Sequence, residues 1–86
     1  MTEPTFGSQL RELRIGAKIN LRDFAKSIGM DPAYLSRMEN GHTGTPKEGT
    51  VHRLVEALCA KTQINSLQAQ ELKTLLLKAA GYASHD

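Results

Sequence analysis

Arg37 is the outward-facing side chain with the most hydrogen-bonding capacity in the middle of this chain. In the segment PAYLSRMEN its spacing sets it apart from Leu35 and Met38 and groups it with Pro32, Ala33, Ser36 and Asn40, with Tyr34 at the edge of that face. A guanidinium is a planar fork of donors. It matches the acceptor edge of a guanine, a phosphate or a carboxylate with two parallel bonds. Three readings of Arg37 therefore stand: base readout, a phosphate contact, or a solvated charge. Its surroundings are mildly basic. From Gln9 to Arg53, eight basic residues (Arg11, Arg14, Lys18, Arg22, Lys26, Arg37, Lys47, Arg53) face five acidic ones (Glu12, Asp23, Asp31, Glu39, Glu48). The whole chain carries only +2, with a pI near 8.9. So small an excess names no partner by itself and implies modest affinity for any polyanion at physiological salt.

Other chemistry is poorly supplied. His42, His52 and His85 lie ten and thirty-three residues apart, with no cysteine at ligand spacing, so no zinc pattern exists and no metal or cofactor is expected. Cys59 follows Val55 by one helical turn and reads as a small core hydrophobe. One cysteine cannot form an internal disulfide, which suits a reducing compartment. No glycine-rich phosphate loop follows a strand, and no nucleophile has a plausible base partner, so the chain does not read as an enzyme. No apolar run approaches the roughly 18 residues of a membrane span, and MTEPTFGS has no signal-peptide core, so a cytoplasmic location is expected.

The elements that must position Arg37 can be read from periodicity and caps. The 86 residues form one small domain, 1–86, without repeat, low-complexity tract or linker. Apolar residues are 40% and aromatics 5% with no Trp, so aliphatic side chains fill the core. A core this small is marginal unless the helices pack well or the chain dimerises. The spacing predicts an all-α fold of five helices. The first runs from about Thr5 to Ala17, capped by Thr5, with Phe6, Leu10, Leu13 and Ala17 on one face. The second runs from about Leu21 to Ile28, with Asn20 as N-cap and Asp23 as a variant capping-box partner. Gly29 supplies a sharp turn. Asp31 and Pro32 then start a third helix that runs to Glu39 and stops at Asn40–Gly41. Thr45-Pro46-Lys47-Glu48 reads as N-cap, first-turn proline and capping glutamate of a fourth helix that runs to about Ala60, with Val51, Leu54, Val55 and Leu58 inward. The fifth, from about Ser66 to Ala80, carries Leu72, Leu75, Leu76 and Ala79 on one face and ends at Gly81–Tyr82. Residues 20–41 thus form helix, tight turn, helix, and the second helix of such a unit is commonly the one that enters a DNA major groove.

These segments resemble the Cro and lambda-repressor family of helix-turn-helix proteins, the XRE family. The matching text is FGSQLRELR, INLRDFAKSIGMDPAYLSRMENG and TPKEGTVHRLVEAL, roughly Phe6 to Leu58. The specific part is the Leu13–Arg14 pair, the Ser36, Glu39 and Gly41 spacing, and the proline before the fourth helix. The resemblance implies a lambda-repressor-like DNA-binding domain whose motif lies in helices two and three. It implies an ion pair between Arg14 and Glu39 that orients the recognition helix; the competing reading is two solvated charges on separate helices. It implies that Pro32, Ala33, Tyr34 and Arg37 face bases or nearby phosphates. Ser36 shares that face. Some relatives carry adenine-reading glutamines where this chain has Pro32 and Ala33, so only apolar contact is offered there. For Tyr34, partial core packing with the hydroxyl outward is the competing reading. The resemblance also implies phosphate contacts at Asn20, Asn40, Thr43 and Lys47, with His42 beside them. Leu21 stands where many relatives have a phosphate-binding glutamine. Lys18 stands where a glycine usually ends the first helix, which leads one to expect a differently shaped turn.

The implied function is sequence-specific binding of double-stranded operator DNA by a nucleoid-associated transcriptional regulator of phage, plasmid or bacterial type, as a homodimer. Leu76, Leu77 and Tyr82 are the dimer-contact candidates; alternatively Leu77 packs on Tyr82 across Gly81 as a helix cap. A competing function is a protein-binding adaptor, an antitoxin or coactivator-like module, which the modest charge and Leu-rich last helix also suit.

Overall fold

Glycine or its stand-in closes four of the five helices in the same way. The computed structural model describes residues 5–82 and contains α1 (Phe6–Gly16), α2 (Leu21–Ser27), α3 (Pro32–Glu39), α4 (Glu48–Thr62) and α5 (Ser66–Ala79), with no strand among the described residues. α1, α2, α3 and α5 each end with one residue at positive φ and a bond from the next N–H back to a carbonyl of the last turn: Ile19 to Arg14, Met30 to Ala25, His42 to Arg37, and Tyr82 to Leu77. The positive-φ residues are Lys18, Gly29, Gly41 and Gly81. Lys18 therefore corrects the expectation of a differently shaped turn. It adopts the left-handed conformation itself, at φ 60°, although a Cβ there costs about 1–2 kcal/mol.

The starts of the helices are set by side-chain caps. Thr5 and Ser8 form a reciprocal capping box on α1. Asn20 Oδ1 accepts from the Asp23 amide on α2, but the Asp23 carboxylate takes the Asn20 amide side chain rather than the cap backbone expected of a capping box. Asp31 caps α3 by accepting from the Ala33 amide. α4 departs from expectation. Its N-cap is Lys47, without a side-chain bond, not Thr45. Pro46 is buried and its carbonyl accepts the Tyr82 hydroxyl at 2.9 Å, so this residue stays in the extended lead-in and the helix begins two residues later. α4 runs on past Ala60 because Thr62 bonds back to the Leu58 carbonyl and the left-handed residue is Gln63. α5 gains a box that was not foreseen, Asn65 with Gln68.

One aliphatic core holds the five helices together. Phe24, Leu10, Leu35, Leu54, Leu58, Leu76 and Val51 are the largest fully buried side chains. α4 packs on α5, and α1 contacts both α3 and α5, so the recognition helix candidate α3 rests on α1 and α2. The inner face of α5 is rotated from the expected one. Leu76 is fully buried and Leu72, Leu77, Ala79 and Tyr82 pack against the core, while Leu75 is 45% exposed. Leu76 is therefore a core residue and cannot serve as a dimer contact. Leu77 and Tyr82 belong to the α5 cap, with the Tyr82 hydroxyl bound to Pro46. Cys59 is a half-buried free thiol packed against the core.

Candidate nucleic-acid interface

The outward face of α3 is defined by what its inward face cannot release. Leu35, Met38 and Glu39 are buried, the first two in the core. Ala33, Tyr34, Arg37 and Asn40 are left exposed, and Pro32 and Ser36 are half-buried. Pro32 opens the helix at a position where its missing N–H is harmless. Tyr34, at 37% exposure, stands at the rim of the face. Arg37 projects from the last turn of α3 and makes no ion pair among the described residues.

Glu39 is 6% exposed, a burial that a lone carboxylate could not tolerate. Arg14 answers it with a fork. Nε donates to Oε2 at 2.6 Å and Nη2 to Oε1 at 2.9 Å, while Nη1 donates to the Ile19 carbonyl at 2.9 Å. One guanidinium thus ties together α1, the turn into α2 and the end of α3. A lysine could not reproduce the two parallel bonds to the carboxylate, because its donors radiate from a single point. No buried side-chain polar atom among the described residues lacks a partner.

A second constraint on α3 escaped the sequence reading. Gly7 lies in α1 where a Cβ would fall 2.2 Å from the Met38 carbonyl oxygen and 2.8 Å from that of Glu39. The two helix backbones touch there, and only glycine fits. The available signal was a glycine in a helical first turn with no turn to make. The role of Arg53 was not legible either. Counted above only in the charge balance, it donates Nη2 to the Ile28 carbonyl and caps the end of α2 from α4.

The residues expected at phosphates lie in two connections, α1–α2 and α3–α4, and several already have internal partners. Asn20 is exposed but holds Asp23 through both its amide oxygen and its amide nitrogen. Asn40 donates Nδ2 to the Ser36 carbonyl at 2.9 Å, and Thr43 Oγ1 donates to the Gly44 carbonyl. His42 and Lys47 are exposed, Lys47 as the N-cap of α4. A lysine there sits at the positive end of the helix dipole, which disfavours it locally. Leu21 is half-buried against the core rather than free at the surface.

No cluster of three or more His, Cys, Asp or Glu side chains with metal-holding geometry occurs among the described residues, and His85 lies outside them. No helix among the described residues is long and apolar enough to cross a membrane.

Comparison with known proteins points to the same helix-turn-helix motif. A protein from Bacillus subtilis (strain 168) described as "HTH-type transcriptional repressor RghR" is 44% identical over 54 residues, which cover 63% of this chain and 40% of that protein. Another from the same strain, "Uncharacterized HTH-type transcriptional regulator RghRB", is 43% identical over 53 residues, covering 62% of this chain and 38% of its own length. The match thus spans about two fifths of these relatives. No solved structure matches the chain. The family described as "Helix-turn-helix domain" matches residues 5–64, which include α1, α2, α3 and α4, and the chain belongs to that family.

Proposed function

We propose that this chain is a sequence-specific double-stranded DNA-binding transcriptional regulator, a repressor that acts as a homodimer on a near-palindromic operator in the bacterial nucleoid. The observation that carries this reading is the Arg14 fork. A buried, three-acceptor contact fixes the end of an exposed eight-residue helix whose outward face bears one free guanidinium. Such rigidity is wasted on a helix with nothing to dock against. It is what a base-reading helix needs, since base contacts require position as well as donors. The named repressor among the relatives supports the same reading over the shared 54 residues. The function is one of binding rather than catalysis.

A protein-binding adaptor is the second reading. The exposed Ile15, Leu67 and Leu75 favour it, together with the apolar groove between α1 and α5 lined by Leu13, Ala17, Leu72 and Leu75. Selection of bound sequences from a random DNA pool separates the two. A regulator enriches one site, and its affinity falls steeply as salt rises. An adaptor enriches none, and that result would overturn the DNA reading.

A further inference from the structure

We propose that Lys18 is a phosphate contact carried by the α1–α2 turn at a cost to the fold's own stability, an inference that rests on the DNA-binding reading above. Four helices of this protein end in the same hydrogen-bonded turn, and three of them place glycine at the positive-φ position. The fourth places Lys18 there, at φ 60°. The backbone bonds of that turn are complete without the side chain: Lys18 N–H to the Ile15 carbonyl at 2.9 Å and Ile19 N–H to the Arg14 carbonyl at 3.1 Å. The side chain itself is exposed and makes neither a hydrogen bond nor an ion pair among the described residues. The turn is held by backbone bonds and by Arg14 whatever side chain stands at this position, so the lysine side chain returns nothing to the fold for the strain that glycine would avoid, which points to a role outside the chain.

The position of the turn says what that role is. The Ile19 carbonyl and the Glu39 carboxylate share one guanidinium, that of Arg14. The α1–α2 turn that carries Lys18 is thus tied through Arg14 to the end of α3, where Asn40 begins the loop that faces the DNA backbone in the proposed complex. Asn20, on the other flank, has its side chain largely spent on Asp23. Lys18 supplies what that residue lacks: an unpaired cation on a flexible stem. A phosphodiester oxygen accepts such a point charge without demanding the planar geometry of a guanidinium.

Lys18→Gly and Lys18→Asn test this on the full chain. Both remove the charge, and both residues accept a left-handed backbone, glycine better than asparagine. Melting is measured by circular dichroism, and affinity for a selected site is titrated between low and high salt. Lys18→Gly is expected to raise Tm by about 4–8 °C. Both variants are expected to weaken binding roughly five- to tenfold per half-site at 0.1 M salt, equally on all site variants, and to lower the salt slope by about one unit per half-site. Lys18→Arg should retain parental affinity. Unchanged affinity and slope in both neutral variants would remove Lys18 from the interface. Loss in Lys18→Gly alone would assign the effect to turn flexibility and overturn the proposal. A parent chain that binds no preferred site sinks the regulator reading itself, and Lys18 with it. A parent that binds with a steep slope while the neutral variants match it sinks only Lys18.

Discussion

Arg14 and Arg37 carry the same group to opposite ends. Arg14 spends its fork inside the protein, where the Glu39 side chain is only 4% exposed. Burying such a pair is rarely a net gain over well-packed hydrophobes, but stranding one partner costs about 3–5 kcal/mol. Glu39→Ala should therefore destabilise the fold by that amount in urea denaturation. The joint replacement Arg14→Met with Glu39→Leu should recover most of the loss. A double variant as unstable as the single would show that the third bond, to Ile19, matters more than the charge. Arg37 keeps its fork free. Arg37→Ala should cost about 1–3 kcal/mol of binding and relax selectivity at one base pair per half-site. Lys47→Ala should weaken all sequences alike and lower the salt slope by about one unit. Titration of a selected site and its point variants distinguishes them. Equal loss on every variant would demote Arg37 to a phosphate contact, and an unchanged slope would remove Lys47.

At the scale of the elements, recognition geometry is set by how closely α1 can approach α3. Two glycines of α1 make the point. At Gly7 a Cβ meets backbone carbonyls, which cannot swing aside, whereas at Gly16 it meets nothing within 4 Å. Gly7→Ala should destabilise the domain by about 1–3 kcal/mol, as overpacking does, despite alanine's better helix propensity. Gly16→Ala should be neutral or stabilising by up to about 1 kcal/mol. Chemical denaturation of both reads the contrast; equal effects would mean that α1 and α3 separate freely. This contact also marks where sequence reading stops. The boundaries of α3 were legible because Asp31, Pro32 and Gly41 are local signals, and each acts within a turn of itself. The start of α4 was not, because Thr45-Pro46 carries an equally good local signal that a distant hydroxyl, from Tyr82, overrides. Arg53 and Gly7 failed for the same reason. Their partners lie on other helices, and no local pattern distinguishes a solvated arginine from one that caps a neighbour. The Arg14–Glu39 pair came only through family resemblance, since the two residues are twenty-five positions apart in the chain.

The whole molecule sets the terms for assembly. Its extents are 36 × 30 × 26 Å, and recognition helices on one face of a duplex lie roughly 34–36 Å apart when half-sites are one turn apart. Two copies of this size seated on adjacent half-sites are close enough to touch through surface side chains, without an interpenetrating interface. The proposed dimer therefore needs exposed apolar groups, not core ones. Leu76 and Leu77 do not qualify, being buried and packed in the cap, respectively. Leu67 at 70% exposure, Leu75 at 45% and Ile15 at 54% do. Leu75 is the most telling of these because it lies on the same helix as the cap residue Leu77 and differs from it only in direction. Leu75→Glu should leave helical content and melting near the parent while weakening binding to full sites toward the affinity for an isolated half-site. Leu77→Glu should do the reverse, lowering stability by about 1–3 kcal/mol through loss of packing at the α5 end. Circular dichroism with gel-shift titration on full and half sites reads both. Full-site binding by Leu75→Glu equal to the parent's would take α5 out of the dimer contact, and melting of Leu75→Glu well below the parent would return that residue to the core.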